Sequence, residues 1–297
     1  MDITRLEEFQ EVIDCLETGD LNKWEETLEH LGRRGLTCQD DSAEILGHLY
    51  EYGKGVEQNL KEALAWYYRD KWFYKSDIER CLDKILAIEP EYVFKETTLP
   101  NSYLHAYDKW FMELQMSKPL AEKPQKVGDL FLLGKYPQTP DGRELPILWR
   151  VLAIEDNRML IISEYCLDWL PYDGNYLDFV ESFPMVALGQ PEGTKSEIFS
   201  LSNKEIEGYM PTEADRRATA TPYVVSKGAY LVHKEKYEEI QDLDVMDYAV
   251  CWWTGSKAFT PDYHADVMPD GWICDSGDAR EDAGGVRPAM WIPLKWD

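Results

Sequence analysis

From Ile3 to about Met116 the apolar residues recur every three or four positions, as in Leu6, Phe9, Val12, Ile13 and Leu16 and again in Trp24, Leu28 and Leu31. That is the period of helices burying one face. Gly19, Gly32, Gly35 and the Glu89-Pro90 step interrupt the pattern as helix stops. The spacing predicts four to six helices of roughly 10–15 residues, arranged as hairpins. Residues 117–126, with two prolines, break the period and favour an extended linker. The expected domains are therefore 1–116 and 127–297. Beyond the linker, short β-like runs occupy 129–133, 147–154 and 158–162, and Glu155-Asp-Asn157 supplies a polar turn for a hairpin between the last two. A strand at 197–201, a short helix opened by Ser202-x-x-Glu205, and aromatic strands at 249–253 and 286–292 complete the pattern. The expectation is a multidomain chain: an all-α helical-repeat domain, then an α+β domain without the regular alternation of a doubly wound sheet.

Charge narrows the partners. The 31 basic and 56 acidic residues give a net charge of −25, with acids in excess in both halves. Such a surface repels phosphate backbones and anionic membranes, so direct nucleic-acid binding is not expected. No apolar run approaches a membrane span, and the first residues are acidic and amphipathic where a secretory signal would be basic and then apolar. A cytoplasmic protein is expected. Its six cysteines lie far apart without CxxC pairs, which suits reduced, packed thiols.

Residues 43–67 describe a helix in which small Ala43 and Gly47 permit close approach, a turn at Gly53-x-Gly55, and a second helix packing Ala63, Leu64 and Tyr67 back. With Leu46, Leu49, Tyr50, Val56, Asn59 and Trp66, the string resembles the Sel-one-like repeat of the tetratricopeptide superfamily. The resemblance implies a helical array with a binding surface. A lone hairpin cannot bury its own apolar face, so neighbouring helices at 3–33 and 77–115 are expected to stack on it. Trp66, Tyr68, Trp72 and Tyr74 form an aromatic stretch, part of which must face outward, as a partner-docking patch or as a face toward the other domain.

In the second half, Val127-Gly-Asp-Leu-Phe-Leu-Leu-Gly-Lys-Tyr-Pro-Gln138, the pair of runs 146–154 and 160–168, and Gly285-Val-Arg-Pro-Ala-Met-Trp-Ile292 belong together. They resemble a family of uncharacterised gut-bacterial domains that opens on Gly-x-Tyr-Pro-Gln and closes on Gly-Val-Arg-Pro-Ala-x-Trp-Ile. That family in turn looks similar to C-type-lectin-like domains of the formylglycine-generating kind. The resemblance implies structural roles for Arg287, Pro288 and Trp291, and a ligand face near the closing motif. This chain departs from the pattern at Cys251-Trp-Trp-Thr-Gly-Ser256, where an Arg-Ser would follow the aromatic pair, and 169–196 is short.

The chemistry is sparse. None of the five histidines stands at metal-ligand spacing, no Gly-x-Ser-x-Gly elbow occurs, and both phosphate-loop patterns are missing. No cofactor is expected. Asp275, Asp278, Glu281 and Asp282 fall close enough to hold a hard cation such as Ca²⁺, although a solvated acidic loop is the plainer reading. Cys251 and Cys274 are read as packed thiols. Trp253, Tyr263 and Trp272 stand beside polar turns and are the expected exposed contacts of this half, whereas Trp252 and Trp291 are expected in the core. The resulting expectation is a non-enzymatic adaptor or inhibitor that binds a protein with a basic surface. The alternative is an enzyme or metal-dependent sensor centred on 251–287.

Overall fold

The computed structural model describes residues 12, 15, 18, 19, 21–35, 42–69, 75–94, 100–173, 176, 178–180, 182, 183, 198–232, 248–280 and 282–294. The chain divides into two compact units, Met1–Lys109 and Trp110–Asp297, so that the expected linker 117–126 falls inside the second. Among the described residues no helix is long and apolar enough to cross a membrane.

In the first unit lie α1 (Leu21–Gly35), α2 (Ser42–Tyr52), α3 (Leu60–Tyr68) and α4 (Lys75–Ile88), followed by α5 (Asn101–Ser117), within which the division falls. The α2–α3 hairpin forms for readable reasons. Gly53 and Gly55 take positive φ in the turn, and the Asn59 side chain caps α3 by accepting from the amides of Lys61 and Glu62. Gly47 is required by packing, because a Cβ there would run into the Tyr67 ring. Ala63, Leu64 and Tyr67 then meet Cys81 and Ile85 in a common core. Two buried acids tie this core together. Glu62 accepts hydrogen bonds from the amides of Asn101 and Ser102, and Glu51 is held by Tyr67, Arg80 and Lys84.

An all-α helical-repeat domain followed by a C-type-lectin-like domain is not the architecture found. The chain is mixed α/β, with a modest share of helix and two curled sheets, and no clear all-α repeat domain is evident. The reason is periodicity. A repeat array needs the same unit at a fixed spacing, and here one hairpin, with helices of 11 and 9 residues, carries the pattern. Its neighbours α1, α4 and α5 run 15, 14 and 17 residues and do not copy it.

The second unit is built on β1 (Leu130–Pro137), β2 (Glu144–Glu155), β3 (Arg158–Ser163) and β9 (Ala289–Pro293), an antiparallel sheet in the order β1-β2-β3-β9. The β2–β3 hairpin turns on Asp156 and Asn157, both at positive φ, as a two-residue turn matched to strand twist requires. The other sheet comprises β4 (Asp168–Pro171), β5 (Trp252–Lys257), β6 (Tyr263–Val267), β7 (Ile273–Ala279) and β8 (Ala283–Val286), in the order β4-β8-β5-β6-β7. Before β5 come, among others, the short helices α6 (Asn203–Tyr209), α7 (Glu213–Arg216) and α8 (Pro222–Ser226). The Ser202 capping box that opens α6 is formed in full. The expected strand at 197–201 reduces to a single bridge between Phe199 and Ala289, and the expected strand at 286–292 is split at Arg287-Pro288 into β8 and β9. A proline cannot donate to a ladder, so the split falls where the sequence requires it. Phe131, Trp149, Ile161, Trp253, Val286 and Met290, drawn from both sheets, share one apolar core.

Candidate functional site

Strands β5, β6 and β7 bring together side chains that lie far apart in the chain. Trp253 pairs with Asp266 and Asp266 with Cys274 across the three strands, and His264 pairs with Asp278. Between these pairs β7 carries more residues than β6, a bulge that swings Asp278 over the sheet. Gly277 makes the bulge possible: it sits at positive φ, and a Cβ would run into the His264 carbonyl oxygen. Cys251, one residue before β5, is drawn against β8 by the Gly285 amide, which donates to the Cys251 carbonyl at 3.2 Å. The outcome is a cluster in which one atom each of the Cys251 thiol and the Asp266 and Asp278 carboxylates lie within 4.8 Å of one another.

Asp266 is the unusual member. Its side chain is 1% exposed, yet neither carboxylate oxygen accepts a well-formed hydrogen bond; only the residue's own amide lies nearby. A buried carboxylate without partners is expensive, since it loses water and gains nothing. Burial, then the neighbouring charge of Asp278, push its carboxyl up to about 7. The same causes act on the others: burial and the charge of Asp282 raise Asp278, while burial and the charges of Asp266 and Asp278 push the Cys251 thiol up. Burial is the larger cause for all three, and neighbouring negative charge adds to it.

Around it the packing is tight and satisfied. The His264 ring stacks on Tyr172 with centroids 3.3 Å apart, and its Nε2 lies 3.0 Å from the Thr254 carbonyl oxygen. Burial lowers its basicity, so it packs as a neutral core ring. Arg287 is fully buried and donates to the carbonyl oxygens of Ser163, Arg216 and Glu164 at 3.1, 3.3 and 3.4 Å, with its guanidinium 4.8 Å from the Trp252 ring centre. Its hydrogen bonds thus go to backbone carbonyl oxygens. Burial lowers its basicity to about 10.

Several of the expected contact residues lie elsewhere. Trp253 is 1% exposed: its indole N–H donates to the Leu170 carbonyl at 2.8 Å, and its ring fills space left by Gly284. Trp66 is fully buried, because α3 is covered along six consecutive residues. Tyr68 is half-buried with its ring 4.8 Å from Phe94. Trp72, Tyr74 and Glu281 lie outside the described residues. Tyr263 and Trp272 are exposed, at 44% and 54%, and Phe259 at 84% is an exposed aromatic that the sequence reading did not single out. Trp252 is buried, and Trp291 is half-buried beneath the Arg158 guanidinium. Pro288 ends the gap between β8 and β9. Asp275 is exposed and accepts from the Asn203 side-chain amide at 2.6 Å. Of the four acids read as a possible cation set, Glu281 lies outside the described residues; among those described, Asp278 is the one that converges with other ligand atoms, those of Cys251 and Asp266. Cys251 and Cys274 are free thiols, with Cys274 Sγ 3.2 Å from Ser276 Oγ.

A family model described as Domain of unknown function (DUF6273) matches residues 179–294, the stretch that holds β5 to β9 and the whole cluster. No curated protein matches the chain. No solved structure matches it either. The C-terminal part of this chain is thus similar to a domain family of unknown function.

Proposed function

We propose that the chain is a non-enzymatic binding protein of the bacterial cytoplasm, and that its second unit takes a protein partner with a basic surface along strand β7. The observation that carries this reading is the edge itself. Among the described residues β7 is the last strand of its sheet. Exposed Trp272 stands at its start, exposed Tyr263 is paired opposite its end at Ala279, and Asp275 and Asp282 are exposed along and just beyond it. Aromatic anchors at both ends of an open strand suit an extended segment added to the sheet, and the acids would select a segment rich in Lys or Arg. The chain's net charge of −25 supports the same choice of partner and would speed the encounter. Free thiols at all five described cysteines suit a reducing compartment. The Sel-one-like resemblance of the 43–67 hairpin is compatible with an adaptor, although the residues that carry it are mostly spent on packing.

The test compares the full chain with a Trp272→Ala/Tyr263→Ala double variant as baits in host lysate at low and high salt. The expected result is a basic protein retained by the wild type at low salt, released at high salt, and lost by the double variant. Retention of the same proteins by both baits would overturn the reading.

A further inference from the structure

We propose that Cys251, Asp266 and Asp278 form a binding site for a divalent cation of the zinc class. The argument stands on convergence and on an unmet need. Three potential ligand atoms from three separate stretches of chain lie within 4.8 Å of one another, a spacing that closes readily around one small ion. One of them, Asp266, is 1% exposed, with both oxygens unpartnered and one of them in the convergent group. Among the buried acids described in detail it stands alone. Glu51 has Arg80, Lys84 and Tyr67; Glu62 has two amides and the Ser102 hydroxyl; Glu164 has Arg150; and Asp168 has Tyr136 and Lys227. A cation would give Asp266 what those residues have.

Donor type selects the ion. A thiolate with two carboxylates is a mixed set of one soft and two hard donors, which fits Zn²⁺ or Co²⁺, whereas Ca²⁺ and Mg²⁺ prefer oxygen throughout. Three negative ligands more than offset a charge of +2, and the like-charge repulsion among them would be removed on binding. Asp278 is exposed and Cys251 half-buried, so an ion can enter from the Asp278 side without opening the core. Three protein ligands leave a fourth tetrahedral position for water or a ligand. The bulge at Gly277 supports the assignment, since it places Asp278 over Asp266 and no other residue type fits against the His264 carbonyl. Binding requires the Cys251 thiol and any shared carboxyl proton to leave to solvent, so affinity rises with pH.

The experiment uses the full chain, stripped with a chelator and titrated with Co²⁺ and then Zn²⁺. A thiolate-to-cobalt charge-transfer absorption that saturates at one ion per chain and disappears when Zn²⁺ is added is the expected result. Cys251→Ser should abolish the band and Cys274→Ser should leave it. Asp278→Asn, on an exposed side chain, should weaken binding tenfold or more, and Asp266→Asn should do the same, with circular dichroism checking each variant's fold. No band in the wild type, a band that persists in Cys251→Ser, or unchanged affinity in Asp278→Asn would overturn the proposal. These readouts do not involve a protein partner, so they stand or fall separately from the β7 edge.

Discussion

Glu51 in the first unit and Asp266 in the second are carboxylates equally sealed from water, at 0% and 1% exposure, and they are treated in opposite ways. Burial alone would push both up. Around Glu51 it is outweighed: Arg80 donates at 2.7 and 3.0 Å, Lys84 at 2.7 Å and the Tyr67 hydroxyl at 2.6 Å, and the carboxyl falls to about 2. Around Asp266 only the residue's own amide opposes burial, too weakly to offset it, and the Asp278 charge adds to it. The difference separates two uses of a buried acid. Glu51 is an internal tie satisfied by the protein's own cations, while Asp266 has no such partner among the described residues, and the proposed cation would supply one.

The largest test of that contrast substitutes each acid by its amide. Glu51→Gln leaves Arg80 and Lys84 without the charge they converge on, and a loss of about 3 kcal/mol is expected in chemical denaturation. Asp266→Asn should do the reverse in chelator-treated protein at pH 8, raising stability by about 1–2 kcal/mol. It removes a charge buried without partners and leaves a smaller penalty for an unpaired amide. Excess Zn²⁺ should then reverse the order of wild type and Asp266→Asn. Wild type gains about 2.7 kcal/mol at a hundred times its dissociation constant, and the variant gains little. Equal destabilisation by both amides, with or without metal, would erase the distinction.

Acid and base titration should separate the two next. Glu51 has its folded pKa below the ordinary 4.5, so its contribution is complete above that value and is lost as the pH falls toward 2. Because Arg80 and Lys84 are 36% and 41% exposed, screening trims this to about 2 kcal/mol. Asp266 has its folded pKa raised from 3.8 to about 7. The folded state therefore binds its proton more tightly, and metal-free protein should lose stability as pH rises through that window, levelling off above it. The ceiling is about 4 kcal/mol, at roughly 1.4 per pH unit, with local relaxation reducing it. Denaturation midpoints of wild type and Asp266→Asn across pH 4–8 check the sign, since the variant should lack the decline.

The same contrast explains what could be read from the sequence. The α2–α3 hairpin was legible because each local choice agrees: small residues at the crossing, two glycines in the turn and an asparagine cap. The β2–β3 hairpin and the α6 capping box were legible for the same reason. β6 and β7 were not. β6 reads Tyr-His-Ala-Asp-Val, and all but its first residue are buried, so His264 and Asp266 break the apolar run that would mark an interior strand. β7 is an edge, polar along most of its length, and resembles a loop. Asp266 left one faint signal, an acid between Ala265 and Val267, but nothing in sequence showed that Cys251 and Asp278 would close on it. Trp253 misled because Thr254 and Gly255 beside it look like a turn; its burial depends on Gly284, thirty-one positions on. Extending one repeat-like hairpin into an array failed because resemblance of one unit carries no information about its neighbours' period.

A smaller effect probes how Glu51 is kept in place. Gly47→Ala puts a methyl group against the Tyr67 ring, whose hydroxyl donates to Glu51. The ring must shift, and overpacking of this kind costs about 1–3 kcal/mol. If the shift also breaks the hydrogen bond, Gly47→Ala and Glu51→Gln together should lose less than the sum of the two, and a double-mutant cycle measures this directly. Full additivity would mean that Tyr67 contributes to the core without helping to hold Glu51.

The smallest effect on stability belongs to the β7 edge. Trp272 is 54% exposed and Tyr263 44%, so replacing either with alanine should change the free energy of unfolding by no more than about 0.5 kcal/mol. An aromatic that anchors a partner differs from one that anchors the fold in this respect: its removal is nearly silent in the isolated protein and costly in the complex, where losses of about 2 kcal/mol or more are common for such anchors. Trp253, two strands away and buried on Leu170, supplies the internal control. Trp253→Ala should lose about 3–5 kcal/mol in unfolding, as large aromatic truncations in a core do. Measuring both aromatics by unfolding and by capture sorts them without reference to any assumed partner. A Trp272→Ala variant that unfolded as readily as Trp253→Ala would place Trp272 among the residues that hold the sheet together, and would leave the β7 edge without the anchor its binding role requires.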